Sequence, residues 1–449
     1  MGSSEPLPTL ESLHFPSAQL SISQTLSSLR RSALSVSNRL QSIENDGAFV
    51  HEVAEHYGLP LVANERCGSW YIPPSSKVGS AYFKSTDGHT GEWDFSLRRL
   101  NLQLLSLVRD HGGCVIVDST RRGKLMPDAL SKTIPIWSAV LNRALFPSET
   151  AYHAVPLPPN YLGASEEAQI ESRIEGFVNS LKSLKLDLET LRSNLSKPIR
   201  IAWANRSYYH PADLQKSSEY NLLVLCSASR RVHGAEMSEG GYIQGAGDDS
   251  EGWAHGLTPP VFWANHDLLK GTSEEDLPDV IGRLVGEFKV GNVSADVTGI
   301  KPTSNLFIGD VGAAGGRFDL VIDCNGDSGL GEEGDGKRLN LGCASGKLGS
   351  RDLRRSLEKV RDFVGARLGV DSSLSLLVVC ETGKDLSAGT LLAIICLFFN
   401  DEGGFDASLS KRAIGKQFIR QRFAWLVSSK HDVNPSRATL QSVNAFLMS

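Results

Sequence analysis

Two α/β domains are the fold class that the 449-residue sequence predicts, and three observations support it. The chain is longer than one ordinary hydrophobic core can fill. Short apolar, β-rich runs recur along it, and several of them precede a turn and a helical pattern, which is typical of α/β proteins. The runs are CVIVD at 114–118, IRIAW at 199–203, YNLLVLCSAS at 220–229, FDLVID at 318–323 and LSLLVVC at 374–380.

Helical patterns separate some of these runs. Residues 20–44 place apolar side chains on one helical stripe. A second helix is predicted from the cap Ser165 through Leu191, because acidic residues follow the cap and apolar residues recur at helical spacing. We place a larger N-terminal α/β domain at residues 1–290 and a C-terminal domain at residues 305–449.

The composition is that of an ordinary globular protein, with 41% apolar and 22% charged residues. No stretch approaches the roughly 20 apolar residues of a membrane helix, and the N-terminus lacks the regions of a signal peptide. The seven cysteines show no paired CxxC spacing, so a zinc site is not indicated. We therefore expect a cytoplasmic protein with reduced thiols.

The distribution of charge matters more than its sum. A net charge of −5 ordinarily argues against a nucleic-acid partner, because phosphate binding depends on a positive surface. Residues 409–449, however, hold seven Lys and Arg residues against the single acid Asp432. Within this segment, FIRQRFAWL (418–426) makes Arg420 and Arg422 candidates for contact with RNA phosphates, while its aromatic residues are predicted to be core.

A candidate phosphate-binding loop, CETGKDLS (380–387), lies between an apolar strand and an apolar helix. Backbone N–H groups and a helix N-terminus then surround one point, and Lys384 adds a positive charge. The alternative is a plain strand-to-helix turn with a solvated lysine. The candidate phosphate ligands are Cys380, Glu381, Thr382, Gly383, Lys384, Asp385, Leu386 and Ser387.

This loop resembles that of the protein-tyrosine and dual-specificity phosphatases, in which five residues, Arg, and Ser or Thr follow a Cys. Cys380 and Ser387 match, but Leu386 stands at the arginine position. That arginine holds the transferring phosphoryl group with two hydrogen bonds, which leucine cannot make. A phosphatase-like fold is therefore expected while phosphatase chemistry is in doubt. Val378 and Asp385 exclude a Walker A loop, which requires Gly and Ser or Thr there.

Two polar loops of the N-terminal half are candidate catalytic segments. The first, YFKSTDGHTGEWDF (82–95), offers Lys84, Asp87 and His89, or it is a solvated turn. The second follows the strand that ends at Asp118, and open α/β sheets gather active-site residues at such ends. Its alternative is a basic loop capped by its own aspartate. The candidate ligands of a metal-bound polyphosphate there are Ser119, Thr120, Arg121, Arg122 and Lys124.

A third loop, GYIQGAGDDSEGW (241–253), carries neighbouring carboxylates. Asp248 and Asp249 are candidate ligands of Mg²⁺. A solvated acidic turn is the alternative, and the residues leave both interpretations open.

Five long motifs together resemble the initiator-tRNA 2′-O-ribosylphosphate transferase family. They occur in the family's order from about residue 20 to the C-terminus: FKSTDGHTGEWDFSLRRLNLQLL, VDSTRRGKLMPDALSKTIPIW, YIQGAGDDSEGW, CETGKDLS and IRQRFAWLVSSKHDVNPSRATLQSVNAFLM. The resemblance implies transfer of 5-phosphoribosyl from phosphoribosyl pyrophosphate to the 2′-OH of the adenosine at position 64 of initiator tRNA. It also implies a C-terminal domain similar to the dual-specificity phosphatases.

The candidate residues take roles under this resemblance. Asp87, His89 and Asp118 are the catalytic candidates. CETGKDLS is expected at one anionic end of the donor, and Lys84 with the 118–124 loop at the other, with Mg²⁺ on the donor. The candidate tRNA ligands are Arg98, Arg99, Arg420, Arg422 and Arg437.

We expect a monomer that acts on tRNA without a membrane partner. Two alternatives remain open. One is a phosphatase acting through Cys380, and the other is a noncatalytic RNA-binding protein of phosphatase-like fold.

Overall fold

The computed structural model describes residues 35–206, 208–209, 215–232, 241–291, 296–325, 336–344 and 346–449. Most of the helix predicted over residues 20–44 therefore lies outside the described residues. Its described part belongs to a helix that begins at Val36, where the Ser35 hydroxyl accepts a hydrogen bond from the Asn38 N–H, and continues to Tyr57.

A six-stranded sheet is built from the N-terminal part of the chain in the order β2-β1-β3-β6-β4-β5. All neighbours pair in parallel except β5, which is antiparallel to β4. The strands are β1 (Leu61–Asn64), β2 (Lys77–Ala81), β3 (Gly113–Asp118), β4 (Ile199–Asn205), β5 (Tyr208–Tyr209) and β6 (Asn221–Ser227). The α-helices are α1 (Val36–Tyr57), α2 (Leu104–His111), α3 (Ile134–Leu145), α4 (Ala164–Lys182), α5 (Leu188–Leu195), α6 (Pro259–Ala264), α7 (His266–Gly271) and α8 (Leu277–Gly291).

A five-stranded sheet follows in the order β10-β9-β11-β8-β7, parallel except for β7. Its strands are β7 (Val297–Gly299), β8 (Leu306–Asp310), β9 (Leu320–Asn325), β10 (Arg338–Cys343) and β11 (Leu376–Cys380). Its helices are α9 (Gly346–Leu368), α10 (Leu386–Phe398), α11 (Lys416–Ser429) and α12 (Arg437–Leu447). The α/β class and all five predicted strands are confirmed, whereas the domain limits 1–290 and 305–449 stay a prediction.

The second predicted helix is two helices. The helix α4 ends at Lys182, and Lys185 adopts a left-handed backbone with φ of 56°. A new helix, α5, then starts because the Asp187 carboxylate accepts hydrogen bonds from the N–H groups of Glu189 and Thr190. The apolar spacing continued through this interruption, so periodicity alone did not reveal the local cap.

Alternate residues of the buried strands face two different layers. Val115 and Val117 of β3 pack with α1, whereas Cys114 and Ile116 contribute to a core that continues into the second sheet through residues such as Ile308 of β8. This alternation follows from the two-residue period of a strand. Within the described ranges, no helix combines the length and apolar character needed to cross a bilayer.

Candidate active site

The carboxyl ends of parallel strands position the candidate residues in both sheets. In the first sheet the chain passes from β1 to β2 on one side and returns to β3 on the other. In the second, β11 lies between β9 and β8, so the CETGKDLS loop leaves the middle of its sheet. Ligands of open α/β sheets bind in crevices at such switch points.

The CETGKDLS loop turns sharply at Gly383, whose φ is +67°. A Cβ atom there would lie 2.9 Å from the Gly309 carbonyl carbon, so the turn requires glycine for space as well as conformation. The Glu381 N–H donates to the Asn325 side chain at 2.9 Å, and the Gly383 N–H donates to the Cys380 carbonyl at 3.2 Å. Neighbouring strands thus hold the loop in shape.

Cys380 lies at the base of this loop. Its thiol is 3.1 Å from the Ser387 hydroxyl. Burial acts to raise the pKa of Cys380, but the Ser387 hydroxyl and the N–H groups of Ser387, Asp385 and Thr382 outweigh burial and lower it. Inward-pointing N–H groups that stabilise a thiolate also suit an oxyanion of phosphate.

Leu386 begins α10 and is buried. Its side chain lies against Gly349 of α9, where an added Cβ atom would be 3.3 Å from Leu386 Cδ1. The position that is arginine in the phosphatase pattern is therefore part of the core here. No guanidinium from residue 386 is available to bind a phosphoryl group.

Asp385 has a structural role in the loop. Its carboxylate accepts hydrogen bonds from the Ser436 N–H at 2.8 Å and the Thr439 hydroxyl at 2.6 Å. These residues cap and begin α12, so the loop is fastened to the C-terminal helix. The Asn434 N–H also donates to the Lys384 carbonyl at 3.0 Å.

Lys384 lines a cavity of about 460 Å³ between loops of the two sheets. Its ammonium group, half-exposed, is 3.1 Å from the Asp432 carboxylate. Burial acts to raise the pKa of Asp432, but Lys430 and Lys384 outweigh burial and lower it. This Arg99–Lys384 cavity is lined by Glu65, Ser80, Ala81, Tyr82, Arg99, Lys384, His431, Asp432, Val433 and Asn434.

Arg99 reaches the same cavity from the first sheet. Its guanidinium lies over the Tyr82 ring at 4.7 Å from the ring centroid and donates to the Asn434 side chain at 3.4 Å. Arg98 beside it donates to the Pro435 carbonyl at 2.6 Å. One cation from each sheet's loops therefore meets in one concave site, although Arg99 and Lys384 are far apart in sequence.

Asp87 lies close to Arg99. Burial raises the pKa of Asp87, and the nearby Arg99, Lys84 and Arg98 only partly offset this effect. Its Oδ2 atom is buried without a hydrogen-bond partner. A carboxylate with a raised pKa and an unused oxygen is suited to accept a proton.

His89 and Lys124 share a partner, Asp128. His89 Nδ1 is 2.9 Å from the Asp128 carboxylate. The Lys124 ammonium group is 3.2 Å from the same carboxylate. Asp128 therefore holds His89 and Lys124 together, and none of the three lines the Arg99–Lys384 cavity.

Asp118 is fully buried at the end of β3. Its carboxylate accepts hydrogen bonds from Asn64 Nδ2 at 2.8 Å, Arg66 Nη2 at 2.9 Å, the Cys67 thiol at 3.0 Å and the Ser119 N–H at 2.7 Å. A carboxylate so enclosed organises its neighbours and is poorly placed to take a substrate proton. Of these two aspartates, Asp87 is the one with a carboxylate oxygen that has no hydrogen-bond partner.

The rest of the 118–124 loop is bound to Ser229, which follows β6, and to the 241–249 segment. The Ser119 hydroxyl donates to Ser229, and the Gly123 N–H donates to Gln244. At Gly245, a Cβ atom would lie 2.6 Å from the Thr120 carbonyl oxygen, so only glycine allows this approach. Thr120 is buried, whereas Arg122 is exposed with a left-handed φ of 56°.

Asp248 and Asp249 face arginines. Asp248, only 4% exposed, is 3.2 Å from Arg66 and 3.5 Å from Arg121, while Asp249 is 2.5 Å from Arg121. Across the described ranges, His, Cys, Asp and Glu side chains form no group of three that could hold a metal ion. The two carboxylates therefore act as ion-pair partners in this structure, which disfavours their assignment to Mg²⁺.

The predicted tRNA-binding arginines divide into two sets. Arg420 is exposed and lines a groove of about 390 Å³ with Arg98, and Arg437 is exposed at the start of α12. Arg422 is buried, donates to the Phe399 carbonyl and Asp401, and stacks on Phe418 and Trp425. The burial of Arg422 disfavours its predicted contact with tRNA, because its guanidinium is used within the fold.

Sequence reasoning missed Arg66 and its partner Cys67. Arg66 forms ion pairs with both Asp118 and Asp248. Burial acts to lower the pKa of Arg66, but its anionic neighbours outweigh burial and raise this pKa. The sequence signal that could have found these two residues is the polar run NERC directly after the apolar run LPLVA, because this change marks the end of a strand. Asn434 and His431 were missed because only the fold brings them to the cavity.

The fold and the loop geometry define a two-sheet α/β protein with a phosphatase-type phosphate loop that lacks the arginine. Two family models match the chain, the Rit1 N-terminal domain over residues 29–286 and the Rit1 DUSP-like domain over residues 337–447. The chain belongs to the Rit1 family, and its C-terminal part is the DUSP-like domain.

Two relatives match nearly the whole chain. The tRNA A64-2′-O-ribosylphosphate transferase of Saccharomyces cerevisiae is 33% identical over 496 residues, which cover 96% of this chain and 95% of that protein. An uncharacterized protein of Schizosaccharomyces pombe is 37% identical over 437 residues, which cover 92% of this chain and 94% of that protein.

Two solved phosphatase structures are similar to part of the chain. The PTP-2 phosphatase of Cydia pomonella is 18% identical with a TM-score of 0.24, over 33% of this chain and 89% of that one. The Yvh1 phosphatase domain from Chaetomium thermophilum is 19% identical with a TM-score of 0.26, over 34% of this chain and 95% of that one.

Proposed function

We propose that this protein transfers 5-phosphoribosyl from phosphoribosyl pyrophosphate to the ribose 2′-OH of adenosine 64 in initiator tRNA. The observation that carries the proposal is the Arg99–Lys384 cavity, where cations from the loops of both sheets meet. Its volume of about 460 Å³ falls in the usual range for small-molecule sites. Asp87 lines a smaller pocket that shares Tyr82 and Arg99 with this cavity. The name of the Saccharomyces cerevisiae relative supports the same chemistry.

In the proposed reaction, a bond forms between the tRNA 2′-oxygen and the anomeric carbon of the donor. The bond from that carbon to pyrophosphate breaks, and pyrophosphate leaves with the bonding electrons. Asp87 accepts the proton of the 2′-OH. Arg99 and Lys384 hold the two anionic ends of the donor, which aligns the reacting atoms and neutralises charge.

Magnesium enters this proposal as an ion bound to the donor. The acidic loop does not fit a resident metal, because Arg66 and Arg121 occupy Asp248 and Asp249. When bound with the donor, Mg²⁺ would neutralise the leaving pyrophosphate. Lys384 and Arg99 would hold the donor's phosphates whether or not the ion accompanies them.

Kinetics of transfer to initiator tRNA test the proposal. Lys384→Ala and Arg99→Ala are each expected to raise the apparent KM for the donor about 10- to 100-fold, the effect of losing a charge-assisted hydrogen bond. Arg283→Ala, which removes an exposed arginine of α8, is the matched control. Calorimetry with donor alone should give the same ranking of affinities. Unchanged donor affinity in both cavity variants, with the fold intact, would contradict the proposed site.

The phosphatase alternative is tested in the same assay with Cys380→Ser. Transfer without a covalent phosphoryl intermediate should remain measurable in this variant. The Leu386 side chain favours that outcome, because the arginine that such an intermediate needs is missing. If the unaltered protein forms a phosphoenzyme that can be trapped, and Cys380→Ser loses both this species and the transfer activity, the phosphatase mechanism is favoured instead.

A further inference from the structure

The helix α9 (Gly346–Leu368) is strongly basic, although the sequence patterns drew attention only to the C-terminal tail. It contains seven Lys and Arg residues against three acids, Asp352, Glu358 and Asp362. Its apolar residues Leu353 and Leu357 are fully buried, so the helix has a defined inner face. Arg351, Arg354, Arg355 and Arg367 are exposed on its outer side.

Three arginines of α9 line an open groove beside α12. Arg351, Arg354 and Arg355 are exposed, and the groove encloses about 610 Å³ with Ser442 and Phe446 of α12. Arg355 is 82% exposed and lies 4.0 Å from Asp352, at the limit of an ion pair. Side chains so exposed gain little from internal pairing, and their charge is available to a partner.

The groove adjoins the CETGKDLS loop. Gly349 lies against Leu386, and the Ser350 hydroxyl is 3.0 Å from the Thr439 hydroxyl, which donates to Asp385. Arg351 is the next residue of α9. Arg355 follows one helical turn later, about 6 Å along the axis. The three arginines therefore follow, along α9, directly on the residues that contact the CETGKDLS loop and α12.

The tail is a weaker source of positive surface than its composition suggests. Arg422 and Lys430 are each 4% exposed by side chain and paired with Asp401 and with Asp296 and Asp432. Two of the seven tail cations are therefore withdrawn from solvent. The arginines of α9 have no comparable burial, so they offer more accessible charge.

We propose that Arg351, Arg354 and Arg355 bind the phosphate backbone of the tRNA substrate. The inference rests on the proposed function, since it takes RNA as the partner of a basic groove next to the donor loop. Guanidinium groups bind phosphate through paired hydrogen bonds, and such contacts position a nucleic acid without reading its sequence. The groove therefore holds tRNA while its reactive ribose lies at the Arg99–Lys384 cavity.

Binding of initiator tRNA by the full chain, measured by fluorescence anisotropy between about 50 and 200 mM salt, tests this inference. The triple variant Arg351→Gln, Arg354→Gln, Arg355→Gln should raise Kd about tenfold or more and reduce the salt slope by about one unit per lost contact. Donor affinity by calorimetry should stay the same. Arg283→Gln on α8 is the matched control and should change neither quantity.

The outcomes separate the two proposals. If the unaltered protein binds and modifies tRNA and the triple variant keeps its Kd and salt slope, the groove is not an RNA site and the proposed function stands. If the unaltered protein neither binds nor modifies tRNA, the proposed function fails and the inference fails with it. Should the triple variant melt early, Arg351→Gln and Arg354→Gln are measured singly, and an unchanged slope in both overturns the inference.

Discussion

Asp87 and Asp118 are both predicted catalytic aspartates, and the fold gives them different surroundings. Asp118 is enclosed by Asn64, Arg66 and Cys67, and its carboxylate accepts hydrogen bonds from all three. Asp87 has a buried oxygen without a partner, and burial raises its pKa. Environment rather than residue type therefore separates a structural carboxylate from a candidate base.

The raised pKa of Asp87 predicts how turnover depends on pH. A base works only as the carboxylate, so turnover is present above its pKa and is lost as pH falls through it. Because burial raises this pKa, the loss should begin at a higher pH than for an exposed aspartate. Asp87→Asn should lower kcat about 10²- to 10⁴-fold and remove this acidic limb.

The measurement is kcat against pH at saturating donor and tRNA. Asp118→Asn provides the comparison, because it alters a buried carboxylate whose oxygens already accept hydrogen bonds within the fold. An acidic limb that persists unchanged in Asp87→Asn assigns the base to another group.

The strand–loop–helix element around CETGKDLS shows how a loop can keep its shape while its chemistry changes. Its strand, glycine turn and inward N–H groups follow from local sequence, and they are present. The buried Leu386 removes the phosphoryl-binding arginine, and Asp385 fastens the loop to α12. The element therefore keeps a strand, a glycine turn and a helix in the order of the phosphatase pattern, without that pattern's arginine.

The hydrogen bonds of Asp385 to α12 predict that its substitution lowers both the stability of the protein and its affinity for the donor. Asp385→Ala leaves the Ser436 N–H and Thr439 hydroxyl without their acceptor and should lower the free energy of unfolding by about 1–3 kcal/mol. Donor affinity should fall as the loop loosens. Asp385→Asn keeps an acceptor oxygen and should lower the free energy of unfolding and the donor affinity by less than Asp385→Ala does. Urea unfolding and donor calorimetry measure the two effects, and equal losses in Ala and Asn would refute this role.

The two sheets share one hydrophobic core at the scale of the whole molecule. Phe423 of α11 belongs to this core, and Gln417 and Gln421 of the same helix both donate to the Ser183 carbonyl beyond α4 at 2.9 Å. The cavity between the sheets' loops depends on this packing. Relative movement of the two parts would separate Arg99 from Lys384.

A shared core predicts a single cooperative unfolding transition for the chain. Phe423→Ala should cost about 3–5 kcal/mol, the usual range for deleting a buried phenylalanine, and should move the whole transition to lower temperature. Differential scanning calorimetry is the measurement. Two resolved transitions, of which the variant moves only one, would show that the two sheets unfold independently.

Local patterns in the sequence determined the strands, the strand–loop–helix element and the loops that hold Asp87 and Asp118, because strand and turn propensities depend on residues close along the chain. They did not determine the break at Asp187, the burial of Arg422 or the pairing of Asp248 with Arg66. Only the tertiary structure decided that Arg99 and Lys384 line one cavity, that Asp87 has the unpartnered oxygen and that α9 presents arginines beside the phosphate loop. These outcomes depend on which distant segments pack together, and that packing sets the burial and partners of each charge.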